Sequence, residues 1–278
     1  MSGKVQRERG RIKAAGRELA YERLRPEEAT GGLPIVFLHE GLGSISLWRD
    51  FPQALCRRAG REGIVYDRWG HGGSEPLDRP RSFRYLHDEA RIFLPAVLDA
   101  LGVERAVAFG HSDGGTIALL FAAHCQKRAA AIVTEAAHVF VEDVTLEGIR
   151  AAVRAYETTD FRRRLARHHG EKTDAVFRAW HETWLSPAFR DWNIEAELPL
   201  ITCPALILQG EDDEYGTPAQ VDAIVRGVRG PVESTLLPGC THVPHQQARD
   251  VVLELAAGFI ARRIGQTMSG IDRAADSL

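Results

Sequence analysis

Several features that would assign this chain of 278 residues to other classes of protein are scarce or missing. It has only four cysteines, and no two of them form a C-x-x-C pair. That pattern argues against both a zinc site and a disulfide framework, so we expect free thiols. No stretch approaches the roughly 18 apolar residues of a membrane span, and the charged N-terminus lacks the apolar segment of a signal peptide. These absences make a cytoplasmic location the default expectation.

The chain also lacks a marked excess of charge of either sign. Lys and Arg together number 35, Asp and Glu number 38, and the formal net charge is −3. This balance gives no support for nucleic acid or an anionic membrane as a partner. Hydrophobic residues make up 44% of the chain, enough for one large core. We expect a compact protein that acts on a small molecule, and the sequence does not decide between a monomer and a homodimer.

Short apolar runs alternate with amphipathic stretches along most of the chain. This alternation predicts an α/β fold, a doubly wound and mostly parallel sheet with helices on both faces. Strands are expected at 18–24, 35–39, 63–67, 106–110, 130–134, 205–209 and 233–237. Helices are expected near 46–59, 83–101, 114–126, 218–227 and 246–263. Residues 137–196 show helical periods and no strand candidate, so we predict a helical cap inserted after the strand at 130–134 into a core of residues 1–136 and 197–278.

One pentapeptide points to a particular chemistry. Residues 110–114 read Gly-His-Ser-Asp-Gly and lie between an expected strand and a helix-like stretch. A sharp strand-to-helix turn strains the serine backbone and leaves no space for side chains at the flanking positions, which accounts for Gly110 and Gly114. The turn would present the Ser112 hydroxyl at a helix N-terminus, where developing negative charge is stabilised. Ser112 is therefore the candidate nucleophile.

A serine hydroxyl is a poor nucleophile near neutral pH, so it needs a base and an acid. Eleven histidines compete for the role of base, among them His39, His71, His111, His138 and His245. We choose His242, because it follows the last expected strand in a Gly-x-x-His setting. Three candidates for the acid stand together at 211–213, after the strand at 205–209. The chain order is then serine, acid, histidine.

With these residues identified, the chain resembles an α/β-hydrolase-fold enzyme from about residue 17 to 263. The order of the three residues is that of the family. In addition, residues 39–44 resemble its His-Gly oxyanion loop, and residues 66–74 resemble its Asp-x-Arg-Gly-x-Gly-x-Ser loop. In the family the acid stands three positions after a strand-end glycine. The resemblance therefore implies Asp213 as the acid, with Asp212 as the alternative.

The resemblance also implies an oxyanion hole of two backbone N–H groups, those of Gly41 and Asp113. The chain departs from the family pattern at Glu40, where a glycine is usual. Glu40 either points into solvent or adds a carboxylate to the rim of the pocket, and the sequence leaves both arrangements open.

Three stretches, 110–115, 146–150 and 203–211, resemble more narrowly the biphenyl-hydrolase-like branch of the family, the branch of valacyclovir hydrolase. An α-amino acid ester hydrolase of this branch binds the substrate's ammonium group with the aspartate that follows the nucleophile. Asp113 matches that position. An aspartate in the first turn of a helix is also stabilised by the helix dipole, by roughly 0.3 to 1 kcal/mol, so a structural role for Asp113 stays open.

The expected activity is that of a serine hydrolase that cleaves a carboxylic ester of a small to medium acyl group, α-amino acid esters included, through an acyl-enzyme. One alternative is a meta-cleavage-type carbon–carbon bond hydrolase, which uses the same triad. A second is a non-catalytic small-molecule receptor of the same fold, which has no need of a complete triad. A haloalkane dehalogenase is disfavoured, because its chemistry needs a carboxylate at position 112. No metal or organic cofactor is implied.

Substrate specificity is expected to depend on the cap and on the rim of the pocket. Two tryptophans of the cap are candidates for an apolar wall, although they would serve equally as the cap's own core. Three residues just past the strand at 130–134 are candidates to face the serine. Two carboxylates in the sequence motifs are candidates as well. The predicted substrate-binding residues are Glu40, Asp113, Glu135, His138, Phe140, Trp180 and Trp184.

Overall fold

The computed structural model describes residues 3–29 and 31–265, which form one eight-stranded sheet with the order β1-β2-β4-β3-β5-β6-β7-β8. β1 and β2 form an antiparallel hairpin, β2 pairs antiparallel with β4, and all pairs from β4 to β8 are parallel. The strands are β1 (Val5–Ala14), β2 (Arg17–Pro26), β3 (Ile35–Leu38), β4 (Gly63–Tyr66), β5 (Ala106–His111), β6 (Ala129–Glu135), β7 (Ala205–Gly210) and β8 (Val232–Leu237).

The helices lie close to the positions that the sequence predicts. Within the described residues they are α1 (Phe51–Ala59), α2 (Tyr85–Asp88), α3 (Leu94–Ala100), α4 (Asp113–His124), α5 (Asp143–Thr158), α6 (Phe161–His169), α7 (Thr173–Trp184), α8 (Pro218–Gly227), α9 (Pro244–Gln247) and α10 (Arg249–Ile264). The helix predicted at 83–101 is continuous but contains a π-helical turn, Glu89–Phe93, between α2 and α3. Pro95 follows that turn, and a proline ring does not fit a regular helix interior.

The central strands are buried on both faces, as parallel strands covered by helices are. In β5, Val107 and Phe109 pack with α1 and α10, whereas Ala106 and Ala108 pack with α3, α4 and α8. This alternation follows from the two-residue period of a strand. The sheet therefore separates two cores, and β5 lies between them.

β1 is a strand that the sequence did not predict. It lies at the edge of the sheet, most of its side chains are exposed, and it is rich in arginine. Arg7 and Arg9 lie 3.5 and 3.6 Å from the Glu22 carboxylate on β2. The hairpin turns at Ala15 and Gly16, both with positive φ, as two-residue hairpin loops require. An edge strand with both faces near water shows no apolar alternation, so its sequence gives no strand signal.

Helices α5, α6 and α7 come between β6 and β7 in the chain, and their side chains line one cavity with residues that follow β3 and β5. Tyr156 and Phe177 stack with ring centroids 3.7 Å apart, and Phe189 and Trp192 stack at 5.4 Å. The division into a core of 1–136 and 197–278 and a cap of 137–196 stays a prediction, and the ends of that core, 1–2 and 266–278, lie outside the described residues. No helix in the described ranges has the length and apolarity that crossing a bilayer requires.

Candidate active site

The sharp turn between β5 and α4 places Ser112 at the carboxyl edge of the sheet. Ser112 has φ 53° and ψ −118°, a conformation rare for a residue with a side chain. A Cβ at Gly110 would lie 2.0 Å from the Gly114 carbonyl oxygen, and one at Gly114 would lie 1.8 Å from the Leu38 carbonyl oxygen. Both flanking positions therefore require glycine, because backbone passes directly against them.

Ser112, His242 and Asp213 form a continuous chain of hydrogen bonds. Ser112 Oγ lies 2.9 Å from His242 Nε2, and His242 Nδ1 lies 2.8 Å from Asp213 Oδ1. A carboxylate only accepts hydrogen bonds, so Nδ1 carries the proton and Nε2 accepts from the serine hydroxyl. Burial alone would raise the pKa of Asp213, but the hydrogen bonds from His242 and from the Tyr215 N–H hold it below its ordinary value. The arrangement places an ionised carboxylate behind the histidine that faces Ser112.

The neighbouring carboxylates do not take part in this chain of hydrogen bonds. Glu211 and Asp212 are exposed, whereas the Asp213 side chain is only 1% exposed. The position three residues after Gly210 is therefore the one that meets His242.

Residues 39–44, the predicted oxyanion loop, follow β3 and contact helix α7 of the predicted cap. A Cβ at Gly41 would lie 2.4 Å from Cδ1 of Trp180, so the cap packs directly on the loop and requires glycine there. Among the described residues, the backbone N–H groups of Gly41 and Asp113 donate no hydrogen bond. Both residues line the same cavity as Ser112, and donors without partners beside a serine are what an oxyanion hole needs.

Glu40 lies at the rim of the cavity above Ser112, which answers the question that the sequence left open. Its side chain is 27% exposed, and Oε2 lies 3.6 Å from Nδ1 of the buried His111. Burial disfavours charge on both groups, yet each stabilises the charge of the other. The Glu40 carboxylate raises the pKa of His111 to about 9, and His111 lowers the pKa of Glu40. His111 Nε2 also donates to the His242 carbonyl oxygen at 2.7 Å.

Asp113 is buried and already has partners for its carboxylate. Oδ2 lies 3.3 Å from Nη2 of the fully buried Arg68 and accepts from the Tyr85 hydroxyl at 2.9 Å. The Tyr85 oxygen in turn accepts from Trp184 Nε1 of the cap at 2.9 Å. The carboxylate therefore joins the turn at Ser112 to the cap through Tyr85, which no sequence motif singled out.

A cavity of about 280 Å³ opens above Ser112 and His242. Its walls come mostly from apolar side chains of the oxyanion loop and the cap, with a few polar groups near the serine. The apolar part is lined by Leu42, Leu47, Ile149, Ala152, Phe161, Leu165, Trp180 and Trp184, and the remaining lining side chains include Glu40, His138, Thr145, Glu214 and Tyr215.

Five of the seven predicted substrate-binding residues line this cavity, and Glu135 and Phe140 do not. The Glu135 side chain is fully buried at the end of β6 and accepts a hydrogen bond from His245 Nδ1 at 2.7 Å. Phe140 forms an isolated bridge with Asn193. The expectation that both face the serine follows from their place in the sequence, but the direction of a side chain just past a strand depends on tertiary packing.

The comparisons with known proteins agree with this geometry. A profile described as alpha/beta hydrolase fold matches residues 34–196, more than half of the chain. The chain belongs to the α/β-hydrolase family, and the fold predicted from the sequence is confirmed.

Relatives within the family have diverse names. The chain is 29% identical to the human protein named serine hydrolase BPHL, over 71% of this chain and 68% of that protein. It is 23% identical to a proline iminopeptidase of Lactobacillus delbrueckii subsp. bulgaricus, over 84% of this chain and 91% of the relative. The first likeness confirms the resemblance to the biphenyl-hydrolase-like branch, and the set supports a hydrolase without fixing its substrate.

Solved structures share the fold. A proline iminopeptidase of Mycobacterium smegmatis superposes with a TM-score of 0.73 at 22% identity, covering 94% of this chain and 100% of that one. An enol-lactonase of Burkholderia xenovorans LB400 superposes with a TM-score of 0.68 at 22% identity, covering 90% and 99%. At this level of identity the likeness establishes the architecture alone.

Proposed function

We propose that this chain is a serine hydrolase that cleaves a carboxylic ester of a small to medium, mainly apolar acyl group through an acyl-enzyme. The observation that carries the proposal is the hydrogen-bonded chain Ser112–His242–Asp213 at the floor of an apolar cavity. A binding protein has no need of a base and an acid aligned on a serine.

The reaction follows from the positions of these groups. His242 Nε2 takes the proton of Ser112 as Oγ attacks the ester carbonyl carbon. The N–H groups of Gly41 and Asp113 hold the negative oxygen that forms. His242 then gives the proton to the leaving alkoxide as the C–O bond breaks. Water, deprotonated by the same histidine, hydrolyses the acyl-enzyme and restores Ser112.

The cavity supports a limited size and a low polarity of the acyl group. Its volume of about 280 Å³ is at the small end of ligand pockets, which run from roughly 300 to 1,000 Å³. Cap side chains such as Ile149 and Leu165 would contact an alkyl or aryl chain. Asp113, the residue expected to bind an ammonium group, is paired with Arg68 instead, which supports an uncharged acyl group over an α-amino acyl group.

A panel of p-nitrophenyl esters of graded chain length, run beside aminoacyl esters, tests the proposal. We expect kcat/KM to rise with chain length, to fall once the acyl group exceeds the cavity, and to show no preference for a free α-amino group. A fluorophosphonate probe should label Ser112. Loss of absorbance with a yellow ring-fission substrate, without ester turnover, would favour the carbon–carbon bond hydrolase. Ligand binding without turnover or labelling would favour the receptor.

A further inference from the structure

Three successive carbonyl oxygens of the oxyanion loop each meet a histidine ring. His39 Nδ1 lies 2.8 Å from the Glu40 oxygen, and His71 Nε2 lies 3.1 Å from the Gly41 oxygen. His169 Nε2 lies 2.9 Å from the Leu42 oxygen. All three imidazoles are buried. His39 and His71 belong to the core, whereas His169 is the last residue of the cap helix α6.

The second ring nitrogen fixes the state of His169. Its Nδ1 accepts a hydrogen bond from the Gly72 backbone N–H at 3.0 Å, so the proton is on Nε2 and the ring is neutral. Burial also lowers the pKa of His169, in keeping with the neutral form. His169 is thus a fixed donor to the Leu42 carbonyl.

Two rigid peptide units connect this donor to the oxyanion hole. The Leu42 carbonyl and the Gly43 N–H share one planar peptide unit, and the Gly43 N–H donates to the Glu40 oxygen at 3.0 Å. The Glu40 carbonyl and the Gly41 N–H share a second planar unit, which this hydrogen bond links to the first. Fixing the Leu42 carbonyl therefore restrains the direction of the Gly41 N–H, one of the two donors in the proposed reaction.

The cap also contacts the core near the oxyanion loop without using the carbonyl groups of that loop. His168 Nδ1 lies 2.8 Å from Ser46 Oγ, and Lys172 Nζ donates to the His71 and Gly72 carbonyls at 3.1 and 2.6 Å. These contacts attach the cap to the core without touching Leu42. They make it feasible to separate docking of the cap from restraint of the loop.

We propose that His169 is a positioning residue through which the docked cap orients the oxyanion loop for catalysis. The proposal rests on the proposed function, since it assigns His169 a task in the same reaction. A well-aimed donor stabilises the transition state without reorganisation, so a loop that has lost its restraint should lower kcat more than substrate binding.

Two substitutions separate the nitrogens of His169. The amide of His169→Gln reaches the position of Nε2 and can still donate to Leu42, whereas that of His169→Asn reaches only the position of Nδ1 and can accept from Gly72. We expect His169→Asn to lower kcat for a short p-nitrophenyl ester roughly tenfold with little change in KM, a part of the ~10²–10³ lost with a whole donor. His169→Gln should stay within about threefold of the parent.

A transition-state analogue gives a second readout. An alkyl boronic acid forms a tetrahedral adduct on the nucleophile, and its affinity for His169→Asn should fall by the same factor as kcat. His168→Ala removes a contact between the cap and the core that does not involve Leu42, the one to Ser46 Oγ, and it should leave both quantities unchanged. Equal effects of the Asn and Gln variants, or a rise in KM alone, would show that His169 only docks the cap.

Imidazole rescue keeps the test decisive if His169→Asn does not fold. In His169→Gly, added imidazole should restore kcat, because it can both donate and accept, whereas N-methylimidazole lacks an N–H and should not. Equal rescue by both would overturn the proposal. Failure of the proposed function is distinguishable, because the parent enzyme would then neither turn over esters nor be labelled at Ser112, and the inference would fall with it.

Discussion

The proposed acid–base side of the cavity and its proposed oxyanion side each contain a carboxylate–histidine pair, and the two pairs differ in kind. Asp213 and His242 are hydrogen-bonded at 2.8 Å, with the carboxylate 1% exposed. Glu40 and His111 lie 3.6 Å apart, with the carboxylate 27% exposed and the imidazole 2% exposed. The first pair leaves Nε2 of its histidine free to accept the serine proton, whereas the second is an ion pair.

The difference shows how similar residues acquire different tasks in one site. Asp213 also accepts from the Tyr215 N–H, which fixes it behind His242. His111 instead donates through Nε2 to the His242 carbonyl oxygen. Its ring therefore supports the backbone at His242 and is not directed at the serine. We therefore expect large losses of rate from changes to the Asp213–His242 pair, and changes in stability or pH dependence from changes to the Glu40–His111 pair.

The largest effect should come from Ser112, the proposed nucleophile. Ser112→Ala should lower kcat on the order of 10⁶-fold and abolish labelling by a fluorophosphonate, while the thermal midpoint of unfolding stays close to that of the parent. His242→Ala should cost about as much. The double variant should be no worse than either single one, because triad members act as a unit. Persistent labelling at another serine would contradict the assignment.

The second largest effect should come from Asp213, and it tests which carboxylate is paired with His242. Asp213→Asn should reduce kcat by about 10⁴-fold, because the amide favours the wrong tautomer of His242. Asp212→Asn is the matched control, since Asp212 is exposed, and it should change kcat less than twofold, as surface substitutions do when they touch no partner. A severe loss in the Asp212 variant would mean that the hydrogen-bonded chain described above is not the one used in catalysis. Both rates are measured with the same p-nitrophenyl ester.

The acid–base side could be predicted from the sequence because its signals are local. Ser112 stands in a turn that the flanking glycines identify, and Asp213 and His242 each follow a strand at a spacing that the family shares. The alternating strands and helices likewise predicted the sheet, except for β1, whose exposed edge position gives no apolar period.

The side-chain contacts on the oxyanion side could not be predicted, because they join distant parts of the chain. Arg68 meets Asp113, which lies 45 positions later, and His169 meets Leu42, which lies 127 positions earlier. No local pattern reports such pairs. The Glu40–His111 pair likewise joins residues that are far apart in the chain, although the departure from glycine at position 40 indicated that the loop is unusual.

The next prediction concerns a third carboxylate, that of Asp113, and asks whether it binds the substrate or stabilises the fold. Asp113→Ala would leave the guanidinium of Arg68 buried without its partner, which should reduce the free energy of unfolding by about 3 to 5 kcal/mol. Adding Arg68→Met should recover much of that loss, because the pair is then replaced by apolar groups. Chemical denaturation of the two variants measures both effects.

Activity on aminoacyl and simple esters should fall together in Asp113→Ala. A selective loss of roughly ten- to a hundredfold on aminoacyl esters would instead assign the carboxylate to an ammonium group.

The smallest effect concerns the ion pair at the rim. The pKa of His111 is raised from 6.5 to about 9, so the stabilisation it gives is fully present below pH 6.5 and is lost as the pH rises through about 9. Glu40→Gln removes the partner that raises this pKa, so His111 should then be neutral throughout that range. We expect the thermal midpoint of the parent to exceed that of the variant by a few degrees near pH 6 and the two to converge near pH 10. Asp212→Asn, which alters an exposed carboxylate, should track the parent at every pH. A difference in thermal midpoint between the parent and Glu40→Gln that stays constant from pH 6 to 10 would show that the Glu40 side chain stabilises the fold by packing alone. The Glu40–His111 pair would then differ from the Asp213–His242 pair more than their geometry suggests.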